Sequence, residues 1–290
     1  MGRALCEQLP AAKQMFDQAS EILGYDLADV CFNGPEDKLN STVISQPALY
    51  VTSLAALELL KQNSPEIVDG CSAAAGLSLG EYTAIAFAGG MSFEDGLKLV
   101  HARGTAMQEA SDETPSGMVS VLGLDQPAVQ AVCDSARVDG EVLQVANLLC
   151  PGNIAVSGSK VSCAQVESAA AEAGAMKSVP LSVAGAFHTP VMQSAVEKLE
   201  TALQSVAMTE SRIPVYSNVD AEPHQSPEEF KSLLVQQVCS TVRWHDSMER
   251  LLADGYDEFY EVGPGRVLRS LMKRIKRKAV CHGALDSLAK

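Results

Sequence analysis

The chain has 290 residues, with 22 Lys and Arg against 36 Asp and Glu, and a formal net charge of −14. That balance excludes nucleic acid as the main partner, because neutralising phosphates takes a basic surface. The length allows a substantial core in one large domain carrying a smaller insertion, and the sequence reads without an apolar run near the roughly 18–20 residues of a membrane span.

Cysteines stand at positions 6, 31, 71, 133, 150, 163, 239 and 281 without a C-x-x-C pair. Neither a zinc site nor a disulfide framework is therefore expected, and a reducing compartment is the simpler inference. No secretory or transit segment is read at the start, where Met1-Gly2-Arg3 runs almost directly into a helical pattern.

Residues 11–23 predict an amphipathic helix with Met15, Phe16, Ala19, Ile22 and Leu23 on one face and Gly24 as its stop. Residues 26–39 read as loop, broken by Gly34-Pro35, and Gln46-Pro47 opens a second helix through Leu60. A weak strand over 67–74 then leads into Gly76-Leu77-Ser78-Leu79-Gly80, a G-x-S-x-G pattern, and a helix over 81–88 ends at Gly89-Gly90. In a nucleophile elbow the Ser occupies a strained strand-to-helix turn, and both glycines are expected to be needed against collision. Ser78 would then sit at a helix N-terminus, with the N–H of Leu79 free to donate to an oxyanion. The five residues alone fit an ordinary turn as well.

A helix over 92–110 carries Arg103, which taken singly reads as a solvated charge. Between 117 and 183 the predicted order is strand 118–122, helix 127–136, strands 142–147 and 154–157, helix 161–173 and strand 176–183. This is the β-α-β-β-α-β of a ferredoxin-like unit inserted into the larger α/β domain. His188 follows in Ala184-Gly185-Ala186-Phe187-His188-Thr189-Pro190. His245-Asp246 imitates a dyad and is read as surface. A strand over 213–219, a helix over 227–240 and a strand over 258–262 complete the pattern. Arg266, Arg269, Lys273, Arg274, Lys276, Arg277 and Lys278 then crowd the C-terminal part. They read as the solvated face of a helix whose Val267, Leu268, Leu271, Met272 and Ile275 face the core, or as a landing patch for an acidic carrier or coenzyme A phosphates.

The longer run from Gly76 to Ala84, G-L-S-L-G-E-Y-T-A, resembles the elbow of the malonyl-CoA:acyl carrier protein transacylases. Leu77 stands where many members carry His, as in the plant and algal plastid branch. The run from His101 to Ala110 resembles the family's R-G-x-x-M-Q motif, and the stretch 184–190 resembles the motif ending in its catalytic His. Leu234-Val235-Gln236-Gln237-Val238 and Glu261-Val262-Gly263-Pro264-Gly265 match closely too. Asn147-Leu148-Leu149-Cys150-Pro151-Gly152-Asn153 resembles a family loop, with Leu149 where several bacterial members have Asn.

The resemblance implies an α/β fold with a hydrolase-like parallel-sheet large domain (1–116 plus 184–290) and a ferredoxin-like small domain (117–183). It implies Ser78 as nucleophile, His188 as general base and Gln237 as the residue whose backbone carbonyl orients that His. It also implies Arg103 as the clamp on the free malonyl carboxylate, with Gln46 and Leu79 beside the acyl group. Guanidinium suits the task because two parallel N–H donors meet two carboxylate oxygens. One such charge-assisted bond favours a carboxylate-bearing substrate by about tenfold to a hundredfold. Malonyl-CoA and holo-acyl carrier protein are the implied substrates, with no cofactor and no metal, in a chain expected to act as a monomer. A plastid stroma is the implied compartment, with cytoplasm as the alternative.

Two departures qualify the match. Thr241 replaces a usual Pro, and Met1-Gly2 aligns just after the family's first strand and its F-P-G-Q-G-x-Q motif, which implies a start shortened by one strand and one oxyanion donor. The rival enzymatic reading is a serine hydrolase or thioesterase, whose acid would lie between Ser78 and His188. The rival from another class is an inactive homologue that still binds carrier protein.

Overall fold

The computed structural model describes residues 1–286. Helices α1 (Arg3–Gln8) and α2 (Pro10–Leu23) open the chain, and Gly24 closes α2 in the left-handed conformation that favours glycine. The stretch read as loop instead forms α3 (Leu27–Asn33) and α4 (Glu36–Asn40). The Asp26 side chain accepts from the N–H of Asp29, and Leu27, Val30 and Cys31 are buried, so one cap and three core contacts outweigh the polar look of the segment.

Helix α5 (Thr42–Asn63) begins at Thr42, earlier than expected, which leaves Pro47 inside it. This helix is long and apolar enough to cross a membrane by length and composition, which the sequence reading missed. Here 67% of its apolar stretch is buried. Helix α6 (Pro65–Asp69) takes up the start of the predicted strand, which shrinks to β1 (Ala74–Ala75). Then come α7 (Leu79–Phe87) and α8 (Phe93–Glu113), the latter capped by Ser92, whose side chain accepts from the N–H of Asp95. Helix α5 packs on α2, α7 and α8, and these four build the main core around Phe16, Tyr50, Tyr82 and Leu97. Gly104 of α8 allows a close approach to the α5 backbone, since a Cβ there would lie 2.7 Å from the Thr42 carbonyl oxygen.

The middle of the chain runs β2 (Ser116–Leu122), α9 (Gln126–Ala136), β3 (Leu143–Cys150), β4 (Asn153–Ser159), α10 (Lys160–Cys163), α11 (Val166–Glu172) and β5 (Lys177–Pro180). The four strands lie in the order β3-β4-β2-β5, every pair antiparallel. The helix expected over 161–173 is broken into two, and residues 147–153 are strand and tight turn rather than loop. Val121, Val129, Val156 and Val166 form a separate apolar core against α9 and α11.

A 3-10 turn (Pro190–Met192), α12 (Gln193–Gln204), β6 (Val215–Tyr216), β7 (Pro223–His224), α13 (Pro227–Gln237), α14 (Trp244–Ala253), β8 (Glu258–Glu261), α15 (Val267–Ile275) and β9 (Val280–Gly283) return the chain to the large part. The sequence reading missed α12, α14, β7 and β9. Strand β1 pairs parallel with β6, β6 antiparallel with β7, and β8 parallel with β9. The architecture is thus α/β, with parallel pairs in the large part and an antiparallel sheet in the small one. Strands β1 and β8, each with a single strand partner among the described residues, border a cavity of about 820 Å³. On α15, Leu271 and Met272 are buried as expected, but Val267 is exposed, because it begins the helix at its solvent edge.

Candidate active site

The strand-to-helix turn at Ser78 exists because Gly76 permits it. A Cβ on Gly76 would lie 1.9 Å from the Gly80 carbonyl carbon, closer than any side chain tolerates. Gly80 differs from expectation: a Cβ there would meet nothing within 4 Å, because the residue borders the cavity between β1 and β8. Ser78 itself takes φ 50° and ψ −104°, a conformation held only where the surroundings over-determine it. Asn218 supplies that hold by bridging the turn. Its Oδ1 accepts from the Ser78 N–H at 2.6 Å and its Nδ2 donates to the Gly76 carbonyl at 2.8 Å. Leu79 opens α7, and its N–H has no acceptor among the described residues.

His188 sits in the segment that leaves the small sheet, also left-handed at φ 62°. Thr189 fastens the segment by donating to the Ala186 carbonyl, and Gln144 of β3 donates to the His188 carbonyl. Nε2 of His188 lies 2.9 Å from the Ser78 Oγ, and Nδ1 lies 2.8 Å from the Gln237 backbone oxygen. Gln237 ends α13, where the last-turn carbonyls lack helical partners. A carbonyl only accepts, so Nδ1 carries the proton and Nε2 presents its lone pair to the Ser78 hydroxyl. Burial, and then the Arg103 charge, lower the His188 pKa to about 4, which keeps the imidazole neutral.

Arg103 departs from the solvated reading, being only 2% exposed. Its Nη1 donates to the Gln46 Oε1 at 2.8 Å, and its Nη2 donates to the Ser78 Oγ at 3.1 Å and to the Gln237 Oε1 at 3.0 Å. Its Cζ stands 5.2 Å from the Tyr82 ring centroid, and its Nε is buried without a hydrogen-bond partner among the described residues. Burial lowers its pKa. The side chains of Ser78, His188, Arg103, Gln46 and Gln237 therefore converge, with Leu79 next in the chain.

Sequence reasoning assigned no role to Asn218 or Glu81. Asn218 carries no local signal. Glu81 stood in the quoted run, and an acidic residue in the first turn of a predicted helix was its available clue. His245 and Asp246 stay apart from the site's hydrogen bonds: His245 lies 3.3 Å from Glu249, and Asp246 accepts from Arg243 at 2.7 Å. Among the described residues no cluster of His, Cys, Asp or Glu could hold a metal ion.

The arrangement is a serine hydroxyl on a strained turn, a neutral imidazole held by a main-chain acceptor, a helix N-terminal donor and a buried cation beside the hydroxyl. It suits acyl transfer through a serine ester. The acyl transferase domain model matches residues 1–282. A malonyl CoA-acyl carrier protein transacylase of Bacillus subtilis is 39% identical over 280 residues, covering 96% of this chain and 86% of the relative. A mitochondrial malonyl-CoA-acyl carrier protein transacylase of Mus musculus is 40% identical over 290 residues, covering 96% and 76%. A malonyl-transacylase solved in complex with a type II PKS acyl-carrier protein superposes with a TM-score of 0.91 at 34% identity, over 98% of this chain and 90% of that one.

Proposed function

The chain belongs to the acyl transferase domain family, among the malonyl-CoA:acyl carrier protein transacylases, and on that premise we propose how its residues carry the malonyl group from malonyl-CoA to acyl carrier protein for fatty acid synthesis. The Ser78 Oγ attacks the thioester carbonyl while His188 Nε2 takes its proton. The C–S bond breaks, coenzyme A leaves with the proton returned by His188, and malonyl-Ser78 remains. The phosphopantetheine thiol of the carrier then attacks the ester through the same steps in reverse. The Leu79 N–H donates to the oxyanion formed in each half. No cofactor enters these steps.

One observation carries the choice of acyl group: the buried Arg103 guanidinium lies 3.1 Å from the nucleophile. A free carboxylate on the acyl group meets a planar fork there, whereas an acetyl group leaves the cation without an anionic partner. The serine hydrolase reading would place an acid on the base, and here the His188 Nδ1 meets a carbonyl.

Intact-protein mass measurement after brief incubation with malonyl-CoA or acetyl-CoA tests the reading. The parent gains a malonyl mass and Ser78→Ala gains none. Arg103→Ala loses malonyl preference by about tenfold to a hundredfold. A folded parent that gains no mass would overturn it.

Residues 117–183 act in this reading as the inserted domain against the acyltransferase domain, 1–116 plus 184–290, and the Gln144 bond to the His188 carbonyl ties one to the other. The carrier docks, as an acidic partner, on the exposed Lys273, Lys276, Arg277 and Lys278. Arg269 is instead committed to Glu261 and Asp286, and Arg274 donates to the Pro151 carbonyl. Reversing the charge of Lys276 and Arg277 should raise the KM for carrier several-fold and spare acylation by malonyl-CoA, whereas slower acylation would assign the patch to coenzyme A phosphates. The chain acts as a monomer, and the plastid stroma is its proposed compartment, with cytoplasm as the alternative; the mouse relative is named as mitochondrial.

A further inference from the structure

Glu81 is 2% exposed and takes no part in the steps above. Its Oε2 accepts from the Gln237 Nε2 at 2.7 Å and from the Asn218 N–H at 3.1 Å. Gln237 Nε2 also donates to the Ser78 carbonyl at 3.0 Å, and Gln237 Oε1 accepts from Arg103. Above about pH 7, where Glu81 is ionised, its carboxylate only accepts. Facing Glu81, Gln237 has to present its NH₂, which leaves its oxygen for the guanidinium.

We propose that Glu81 is a positioning residue for acyl selectivity, fixing the Gln237 amide so that the guanidinium of Arg103 is aimed beside Ser78. Arg103 has no carboxylate within ion-pair distance among the described residues; its hydrogen-bond partners are Gln46, Ser78 and Gln237. A carboxylate seated directly on the guanidinium would occupy the donors that a substrate carboxylate needs. Held one amide away, Glu81 orients the fork and leaves those donors to neutral groups that an anion displaces. Burial pushes the Glu81 pKa up to about 7, while the donors from Gln237 and Asn218 and the Arg103 charge oppose that rise.

This inference rests on the malonyl reading of the site, and one experiment separates the two. Initial rates of Ser78 acylation by malonyl-CoA and by acetyl-CoA are measured by intact mass for the parent, Glu81→Gln, Gln237→Met and the double variant. Both single variants keep the side-chain length, and Gln237→Met also keeps the backbone carbonyl on His188. The malonyl-to-acetyl ratio should fall about tenfold in Gln237→Met, the scale of one hydrogen bond to a charged group. It should fall several-fold in Glu81→Gln, and no further in the double variant than in Gln237→Met alone. A merely structural role would depress both rates together and keep the ratio. A parent that malonylates, with an unchanged ratio in Glu81→Gln or with additive losses in the double variant, overturns the proposal. Should Glu81→Gln not fold, an unchanged ratio in Gln237→Met overturns it equally. A parent that takes no malonyl group overturns the reading of the function itself.

Discussion

The small antiparallel sheet and the Ser78 turn are built on opposite terms. In the sheet, β2 and β4 pair over seven consecutive positions, from Ser116 opposite Ser159 to Leu122 opposite Asn153, above a core rich in valine and leucine. Around Ser78 the strands are two residues long, two backbones are left-handed, and buried polar side chains arrive from α5, α7, α8 and α13. Regular pairing makes the sheet a frame that tolerates local loss. The turn has no such redundancy, because its groups are held by single specific side chains and not by a repeating ladder.

Substitutions can break this contrast, and the largest effect falls on the turn. Gly76→Ala should abolish Ser78 acylation or soluble expression, since its Cβ has no room, whereas Gly80→Ala, with open space, should cost no more than about 1 kcal/mol. Thermal unfolding together with the mass assay distinguishes them, and equal damage from both would mean that the turn is not organised around Gly76. In the sheet, Leu143→Ala removes a fully buried side chain and should cost about 2–5 kcal/mol in denaturant unfolding. The malonyl-to-acetyl ratio should hold, and a changed ratio would show that the frame also tunes chemistry.

The smallest expected effect is on pH dependence. His188 has its pKa lowered from 6.5 to about 4, so the acid limb of Ser78 acylation should lie well below 6.5, nearer 4. The linked stability has a definite sign. The unfolded chain takes up the imidazole proton first, so the contribution of neutral His188 is fully present above 6.5 and is lost as pH falls toward about 4. Glu81 acts oppositely: with its pKa raised from 4.5 to about 7, its contribution is fully present below 4.5 and is lost as pH rises toward 7. In Glu81→Gln that second slope should vanish from melting temperatures measured between pH 4.5 and 7. A slope that persists would assign it to another group.

The same contrast explains what was legible in the sequence. The β-α-β-β-α-β order could be read because hydrophobic alternation and turn residues are local signals, and each strand's partner lies in the same short stretch. Ser78, Arg103 and His188 stood in recognisable runs, and the structure brings them together. Asn218 could not be read, because its role exists only through contact with a turn 140 positions away. The polar stretch holding α3 was read as loop because burial of Leu27, Val30 and Cys31 depends on helices elsewhere. Strand 67–74 failed for a similar reason: Pro65 starts a helix there, and only two residues find a partner in β6.

Gln237 meets His188 with a main-chain oxygen and Arg103 with a side-chain oxygen. Point substitution at position 237 replaces the second atom and leaves the first in place. The acceptor on His188 is thus independent of the side chain at 237, whereas that side chain's Nε2 also holds the Ser78 carbonyl. A lineage, or a library randomised at 46 and 237, varies the partners of Arg103 while the acceptor on His188 stays in place.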